Sequence, residues 1–356
     1  MTSDTGFLER LLDAPGPSGF EVRAARVWRE EAEGFADEVR TDVAGNSIAT
    51  VNPAGRPRVM LAGHVDEIGL QITHIDDEGF VFIDEIGGWD VQVLVGQRVT
   101  ILSRDGDRAG VIGKKAIHLL KDDERKRAAQ ICNLWVDVGA KDKNEVVSMG
   151  IRVGDPMVIA ADLVHLAGDL IASRAIDNRI GALVVLEAAR LLAADPPAAA
   201  TMAVATVQEE IGGGSGGGAR SSAFALEPNV ALVVDVTFST DVPDIEKKEL
   251  GDHEIGGGPV LTRGSAAHPV VFERLAEIAE AEGIPHTIQA APKATRTDAD
   301  SIFLTRAGVP TGLVSVPNRY MHSPNEVVSI SDLKSAAQLL AAFVRSLDSE
   351  TDFTPR

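Results

Sequence analysis

The chain has 356 residues and is 44% hydrophobic, enough to bury at least one large core, and its length is nearer two domains than one. Its formal net charge of −19 argues against a nucleic-acid partner, because phosphate contacts require clustered lysine and arginine. A single cysteine, Cys132, excludes an internal disulfide and favours a cytoplasmic location, and the absence of a long apolar run or an export leader argues against a membrane association.

The first part of the chain predicts helices followed by a buried strand. A short N-terminal helix and the turn-rich residues 15–19 precede a helical pattern over Glu21–Ala36. Val59–Ala62 then has the apolar character of a buried strand, and it ends at Gly63 and His64.

The texture of the sequence changes at residues 70–167. Short apolar strands alternate there with Gly and Asp, which predicts a small all-β barrel inserted into the surrounding domain. The predicted strands are Ile72–Ile75, Phe80–Ile83, Arg98–Leu102, Val111–Ile112, Leu134–Val138 and Met157–Ala160.

Helical spacing returns at Asn178, with Asp177 at the expected N-cap position. Apolar strands then alternate with helical segments, and a last amphipathic helix is expected at Ser331–Leu347. Alternation of this kind predicts an α/β sheet covered by helices. We therefore expect one domain from residues 1–69 and 168–356, interrupted by the β insertion at 70–167. The three strands after Asn178 are Met202–Val207, Val230–Val234 and Gly312–Val316.

Acidic and imidazole side chains occur where the predicted strands stop. Strand ends of an open α/β sheet face one crevice, so these groups are expected to converge. Several carboxylates in one pocket repel each other, whereas two divalent cations would neutralise them. The residues are His64, Asp66, Asp177, Glu209, Glu210, Asp235 and His322.

Each of these residues also has an ordinary structural interpretation. His64 alone fits a surface histidine, and Asp177 alone fits a helix N-cap. The adjacent acids Glu209 and Glu210 are harder to explain, because they follow an apolar strand and repel each other unless a cation is near. One of them can bind a metal while the other moves protons. Surface or core roles are expected for the other histidines, which are His74, His118, His165, His253, His268 and His286.

The glycine-rich run Gly212–Gly218 suggests functions of other classes. It contains both Gly-x-Gly-x-x-Gly and Gly-x-Ser-x-Gly, and Asp235 follows at about the distance of a ribose-binding acid. A dinucleotide-dependent oxidoreductase using Gly212–Gly217 and a serine hydrolase are therefore alternatives. Two glutamates before the first glycine would repel a pyrophosphate, and Ala219–Pro228 is short for the helix that should follow, so both alternatives are disfavoured.

Taken together, these positions resemble those of the dinuclear-metal aminopeptidases that build tetrahedral particles, a family that includes glutamyl and deblocking aminopeptidases. The resemblance extends through nearly the whole chain. It is carried by Pro15-Gly16-Pro17-Ser18-Gly19, Gly63-His64-Val65-Asp66-Glu67-Ile68-Gly69, Ala175-Ile176-Asp177-Asn178-Arg179, Val207-Gln208-Glu209-Glu210, Val234-Asp235-Val236-Thr237, and the segments Ala307–Thr311 and Arg319–Pro324.

The resemblance implies a zinc-peptidase-like fold, in which a mixed sheet is flanked by helices and the inserted barrel serves dimerisation. It implies two divalent metal ions per chain. Asp177 would bridge them, His64 and Asp235 would complete one site, and Glu210 and His322 would complete the other. Zinc or cobalt suits this mixture of imidazole and carboxylate ligands best, and manganese is also compatible with it.

The resemblance further implies an aminopeptidase that releases N-terminal residues from peptides with a metal-activated hydroxide. Glu209 would be the general base and Asp66 would orient His64. Dimers and a possible dodecamer are expected. An amide deacylase using the same metals and an inert metal-binding module are the alternatives. Two segments depart from the family pattern, and we expect them to influence the side-chain preference: Ile211–Ala219 and Thr295–Ala299.

Overall fold

A computed structural model describes residues 5–212 and 217–355 of the chain. These residues form 12 α-helices and 17 β-strands, with two short 3-10 turns at Ile117–Leu119 and Ile131–Asn133. The helices are α1 (Thr5–Asp13), α2 (Val22–Ala32), α3 (Val91–Leu94), α4 (Asp122–Arg125), α5 (Lys143–Ser148), α6 (Ile176–Ala194), α7 (Glu209–Gly212), α8 (Gly217–Leu226), α9 (Lys247–Leu250), α10 (Pro269–Ala281), α11 (Ala299–Ile302) and α12 (Ile330–Arg345).

The strands belong to one large sheet, one closed barrel and one small sheet. They are β1 (Glu38–Thr41), β2 (Ser47–Val51), β3 (Arg58–His64), β4 (Gly69–Ile75), β5 (Val81–Ile86), β6 (Arg98–Ser103), β7 (Gly106–Gly113), β8 (Trp135–Asp137), β9 (Pro156–Ile159), β10 (Val164–His165), β11 (Leu170–Ser173), β12 (Ala200–Thr206), β13 (Val230–Phe238), β14 (Val260–Arg263), β15 (Thr287–Ala290), β16 (Thr311–Asn318) and β17 (Glu326–Ser329).

The large sheet has eight strands in the order β1-β2-β12-β3-β13-β16-β14-β15. Its four central strands, β12, β3, β13 and β16, run parallel to one another. β2 and β14 flank this block in the antiparallel direction. The sheet is therefore mixed, and the carboxyl ends of its central strands share one edge.

Helices cover both faces of this sheet. Alternate residues of β3 show the division, because Leu61 belongs to the core formed with α1, α2, α6, α10 and α12, whereas Met60 and Ala62 belong to the core formed with α8 and α11. Strands buried on both faces are expected to be continuously apolar, as these are. The expected last helix is α12, whose Leu340 and Phe343 are fully buried. Among the helices in residues 5–212 and 217–355, none combines the length and the hydrophobicity that a membrane span requires.

The inserted barrel lies between β3 and β11 in the chain. It closes in the order β4-β5-β8-β7-β6-β9, and each of its strands overlaps one of the six predicted strands. Leu70, Ile101 and Val136 contribute to a separate core inside it. The predicted fold class, a helix-flanked α/β sheet with an inserted all-β barrel, is thereby confirmed.

Two local predictions differ from the structure. Asp177 is not an N-cap: α6 begins at Ile176, Ala175 occupies the N-cap position, and the backbone of Asp177 is non-helical, with φ −74° and ψ 109°. Asp235 lies inside β13 instead of beyond its end. The segment after the glycines forms a short helix, α8, of 10 residues, whose buried small residues pack against the sheet.

Candidate metal centre and active site

The carboxyl edge of the parallel strands gathers the side chains that the sequence singled out. His64 is the last residue of β3, and Asp235 lies in the second half of β13. Glu209 and Glu210 begin α7, three residues after β12, and His322 follows β16. Parallel strands bring such positions together in one crevice.

Asp177 stands at the centre of this group. Its Oδ1 lies 3.3 Å from Nε2 of His64, and its Oδ2 lies 3.3 Å from Nε2 of His322. Asp235 Oδ1 is 3.9 Å from the same nitrogen of His64, and Glu210 Oε2 is 3.4 Å from that of His322. Two trios of possible metal ligands result, each with its ligand atoms within 4.8 Å of one another, and they share Asp177.

The donor atoms fit divalent metal ions. Asp177 Oδ1 and Glu210 Oε1 are buried and accept no hydrogen bond from any residue that the structure describes. A buried polar atom without a partner is costly, so such atoms call for an explanation. Imidazole nitrogen and carboxylate oxygen together form a ligand set typical of zinc and related ions. The shared carboxylate allows room for two ions.

Crowding perturbs the acid–base properties of these groups. Burial, the largest cause, raises the pKa of Glu209 to about 10; the charge of His64 opposes this rise, and the charges of Asp235, Asp298 and Glu210 add to it. Burial and the charge of Asp177 also raise the pKa of Glu210.

Both imidazoles bind protons strongly in the same surroundings. Burial alone would lower the pKa of His322, but hydrogen bonds and charge interactions with Asp177 and Glu210 raise it to about 11. The pKa of His64 is raised as well, since the carboxylates around it outweigh its burial. Without metal ions, the negative charge of the cluster is therefore reduced by bound protons. Metal ions would take over this neutralisation, and their binding would release the protons.

Asp66 contacts both His64 and the paired glutamates of the centre. Nδ1 of His64 lies 3.2 Å from the main-chain oxygen of Asp66 and 3.4 Å from its carboxylate, which leaves Nε2 facing Asp177. The two carboxylate oxygens of Asp66 accept the backbone N–H groups of Glu209 and Glu210, at 3.2 and 3.1 Å. Asp66 thus positions both the histidine and the paired glutamates.

The barrel orients the other histidine. Nδ1 of His322 lies 2.7 Å from the carbonyl oxygen of Gly88, in the loop that follows β5. A donor to that carbonyl at Nδ1 leaves Nε2 as the unprotonated, ligating nitrogen in the neutral ring. His322 has a left-handed backbone, with φ +60°.

Two buried acids near the centre were missed from the sequence. Glu326 accepts the backbone N–H groups of Asp177 and His322, and Asp298 accepts a hydrogen bond of 2.5 Å from the Thr206 hydroxyl. Burial raises the pKa of Asp298 to about 6. A carboxylate four residues after His322, directly before the apolar pair Val327 and Val328, was the signal that could have identified Glu326.

A buried charge cluster supports the segment around Asp66. Glu67 lies between the guanidinium groups of Arg174 and Arg179, and its Oε1 is 2.6 Å from the latter. Burial would raise the pKa of Glu67, but the two arginines hold it below its ordinary value. Arg179 also donates to the main-chain oxygens of Leu11, Leu12, Ala14 and Val65.

The centre opens into a cleft of about 1280 Å³. β13, β14, β15 and β16 form one wall, the loop at 291–297 forms another, and the barrel segment around Trp89 closes a third. The altered segment Thr295–Ala299 therefore contributes to the cleft, through Thr295, Arg296 and Thr297. Of the glycine-rich segment proposed for a dinucleotide, residues 213–216 lie outside the described chain, and the same holds for that part of Ile211–Ala219.

A helix-flanked sheet with a buried carboxylate–imidazole cluster in an open cleft defines a metal-dependent hydrolase of the peptidase type. Comparison with known proteins agrees with this class. A model of the M42 glutamyl aminopeptidase family matches residues 45–339. A lysyl aminopeptidase of Pyrococcus furiosus is 34% identical over 99% of both chains.

Solved structures show the same relationship. A TET aminopeptidase from the marine sediment archaeon Thaumarchaeota archaeon SCGC AB-539-E09 superposes with a TM-score of 0.91 at 34% identity, covering 97% of this chain and 96% of its own. The TET1 peptidase of Pyrococcus horikoshii, described as assembling into a tetrahedron or a large octahedral shell, gives 0.85 at 29% identity, with 97% and 100% covered.

The chain belongs to the M42 peptidase family. It is a hydrolase, a metal-dependent aminopeptidase, and the predicted family and activity are confirmed. The deacylase and oxidoreductase alternatives are not favoured by these relationships.

Proposed function

We propose that the chain releases N-terminal amino acids from peptides with two divalent ions, zinc or cobalt in preference to manganese. His64, Asp177 and Asp235 would hold one ion, and Asp177, Glu210 and His322 the other. The observation that carries the proposal is that the two oxygens of Asp177 face different histidines, each at 3.3 Å. Three ligand carboxylates also balance most of the charge of two divalent ions.

When bound, the ions would polarise the scissile carbonyl and lower the pKa of a water molecule. Glu209 is the proposed general base. It belongs to neither ligand trio, and its Oε2 lies 3.7 Å from Nε2 of His64, at the wall of the cleft. It takes a proton from the attacking water and passes it to the leaving nitrogen as the C–N bond breaks. Asp66 keeps Glu209 in place through its N–H group.

An uncharged substrate side chain fits the cleft best. The wall beside Asp235 carries Thr237, Thr262, Gln289 and Ser315, and the hydroxyl of Thr237 donates to the Gln289 side chain at 3.0 Å. Outside the proposed centre, the charged groups that line the cleft are Glu85 and Asp90 of the barrel segment, Lys293 and Arg296 of the loop at 291–297, and Asp300 of α11. We expect neutral aminoacyl amides to give a higher kcat/KM than lysyl or glutamyl amides; the reverse order would contradict this preference.

The substitution Glu209→Gln tests the mechanism. The amide is nearly isosteric but accepts no proton, so activity should fall at least about 100-fold while the metal content stays at two ions per chain. Glu280→Gln, an exposed change of the same kind on α10, is the control. Full activity of the Glu209 variant would refute the general-base assignment.

Blocking the substrate amine tests the reaction class. An aminopeptidase loses turnover when the N-terminus is acetylated, whereas a deacylase requires the acyl group. Faster cleavage of the blocked substrate would therefore exclude the proposed function, whatever the metal content of the protein.

Self-association through the barrel, as a dimer and further as a dodecamer, completes the proposal. It is supported by the likeness to the shell-forming TET1 peptidase. A cytoplasmic location is supported by the exposed free thiol of Cys132. Light scattering that shows only dimers would exclude the dodecamer, and monomers alone would exclude both assemblies.

A further inference from the structure

Glu326 is a buried carboxylate between the two chain segments that carry Asp177 and His322. It begins β17, where it pairs with Ser173 of β11, and β11 runs directly toward Asp177. His322 lies four residues before Glu326 in the chain. The side chain of Glu326 therefore reaches both the segment of Asp177 and the segment of His322.

Each oxygen of this carboxylate has a separate task. Oε2 accepts the backbone N–H of Asp177 at 2.9 Å, and Oε1 accepts the backbone N–H of His322 at 2.8 Å. Glu326 is only 2% exposed, and it forms no ion pair with any lysine or arginine in residues 5–212 and 217–355. Burying a carboxylate without a cationic partner is costly, so a specific role is needed to explain it.

The two N–H groups need an acceptor of this kind. Asp177 lies in the first turn of α6, where backbone N–H groups lack partners within the helix. His322 has a left-handed backbone, which non-glycine residues adopt only when surrounding contacts hold it. The carboxylate of Glu326 satisfies both groups and fixes the direction in which each ligand side chain leaves the main chain.

Asp66 provides an internal parallel at another pair of residues in the centre. Its two oxygens accept the N–H groups of Glu209 and Glu210 in the same divided manner. Asp66 and Glu326 together therefore fix the main chain at four of the residues around the cleft. The same arrangement, one carboxylate accepting two backbone N–H groups, therefore occurs twice around the centre.

We propose that Glu326 is a positioning residue that sets the half of the centre formed by Asp177, Glu210 and His322, by holding the main chain of Asp177 and His322. This inference rests on the two-ion function proposed above. The larger effect is expected in this half, because two of its three proposed ligands, Asp177 and His322, are held by Glu326, whereas in the other half only the shared Asp177 is.

The test is metal binding to stripped protein, measured by calorimetry and elemental analysis with Zn²⁺, and by visible absorption with Co²⁺. In Glu326→Gln one of the two acceptor oxygens becomes an NH₂ group, which faces a backbone donor. We expect one of two equivalents to bind about 10–100-fold more weakly, with a changed Co²⁺ spectrum for that equivalent.

Asp332→Asn is the matched control. Asp332 is 1% exposed and also divides its oxygens between two backbone N–H groups, those of Gly256 and Gly258, but it touches none of the ligand residues. It should retain two equivalents of wild-type affinity even where its Tm falls. If Asp332→Asn loses the same equivalent, general destabilisation explains the effect and the inference is overturned.

The remaining outcomes also decide. Wild-type protein that takes up no second ion would overturn the two-ion function, and with it this role. Wild-type protein with two ions and a Glu326→Gln variant with unchanged affinities would overturn the role of Glu326 alone. If Glu326→Gln does not fold, Glu326→Asp is used instead, because the shorter aspartate side chain cannot reach both N–H groups. The same weaker binding of one metal equivalent is expected for Glu326→Asp. Metal affinities equal to those of the wild type would refute the inference.

Discussion

Replacing Arg179 with methionine should strongly destabilise the protein, although the residue is not a proposed metal ligand. Its guanidinium is fully buried, and it connects α1, the segment after β3 and the start of α6. Methionine fills much of the same volume but offers no donor. The change therefore isolates the loss of hydrogen bonds and charge from the loss of packing.

The expected loss of unfolding free energy is about 5 kcal/mol. Removing one partner of a buried ion pair costs about 3–5 kcal/mol. The lower end applies, because Glu67 retains Arg174 and the N–H of Gly16. The carbonyl oxygens at the end of α1 lose their donor, which adds about 2 kcal/mol. The sum is a third or more of the stability of a typical domain.

The measurement is urea unfolding of the metal-loaded protein followed by circular dichroism. Arg190→Met is the matched control, because Arg190 also pairs with two glutamates, Glu31 and Glu187, but is partly exposed. Its removal should cost no more than about 1 kcal/mol. Equal shifts of the urea midpoint in the two variants would show that the buried cluster is not the stabilising feature inferred here.

Three further predictions concern pH, metal and packing. Burial and the charge of Asp66 raise the pKa of Glu21 to about 7. The unfolding free energy of the wild type should therefore fall relative to that of Glu21→Gln by up to about 3 kcal/mol as the pH rises from about 4.5 to about 7. Parallel curves of unfolding free energy against pH for the two proteins would contradict this. Removing the metal should lower Tm more at about pH 9 than at about pH 6. The raised pKa values of Glu209 and His322 mean that bound protons stabilise the metal-free cluster, and these protons are lost as the pH rises. A Tm difference between metal-loaded and metal-free protein that does not change with pH would argue against cation binding there. A methyl group at Gly63 would lie 2.4 Å from the main chain of Gly181, so Gly63→Ala should cost about 3 kcal/mol and weaken metal binding, unlike Gly34→Ala, and identical melting of the two variants would refute the close approach.

Much of this molecule could be inferred before its structure. His64, Glu210 and His322 end or follow apolar strands of the parallel block, whose carboxyl ends share an edge, so their convergence could be expected from the pattern alone. The barrel strands were recognisable because alternation and glycine-rich turns are local signals. Local signals suffice when a residue is placed by its own element.

Residues placed by distant partners could not be found in this way. Glu326 and Asp298 depend on contacts across the fold, with Asp177 in one case and Thr206 in the other. The conformation of Asp177 itself was misjudged, because an acid at the start of a helix usually caps it, whereas here the tertiary contacts turn the side chain toward two histidines. The contacts of Asp177 with His64 and His322 therefore override the local preference of aspartate for helix capping.

The contact between Gly88 and His322 has a consequence for how this architecture can be shortened or recombined. Gly88 belongs to a loop of the insertion, yet its carbonyl oxygen determines which ring nitrogen of His322, a residue of the sheet domain, carries the proton. A truncated chain reduced to the helix-covered sheet would keep every proposed ligand and still lose that selection. The two modules are separable in sequence but interdependent in chemistry, so any transplant between homologues has to carry the barrel and its sheet together.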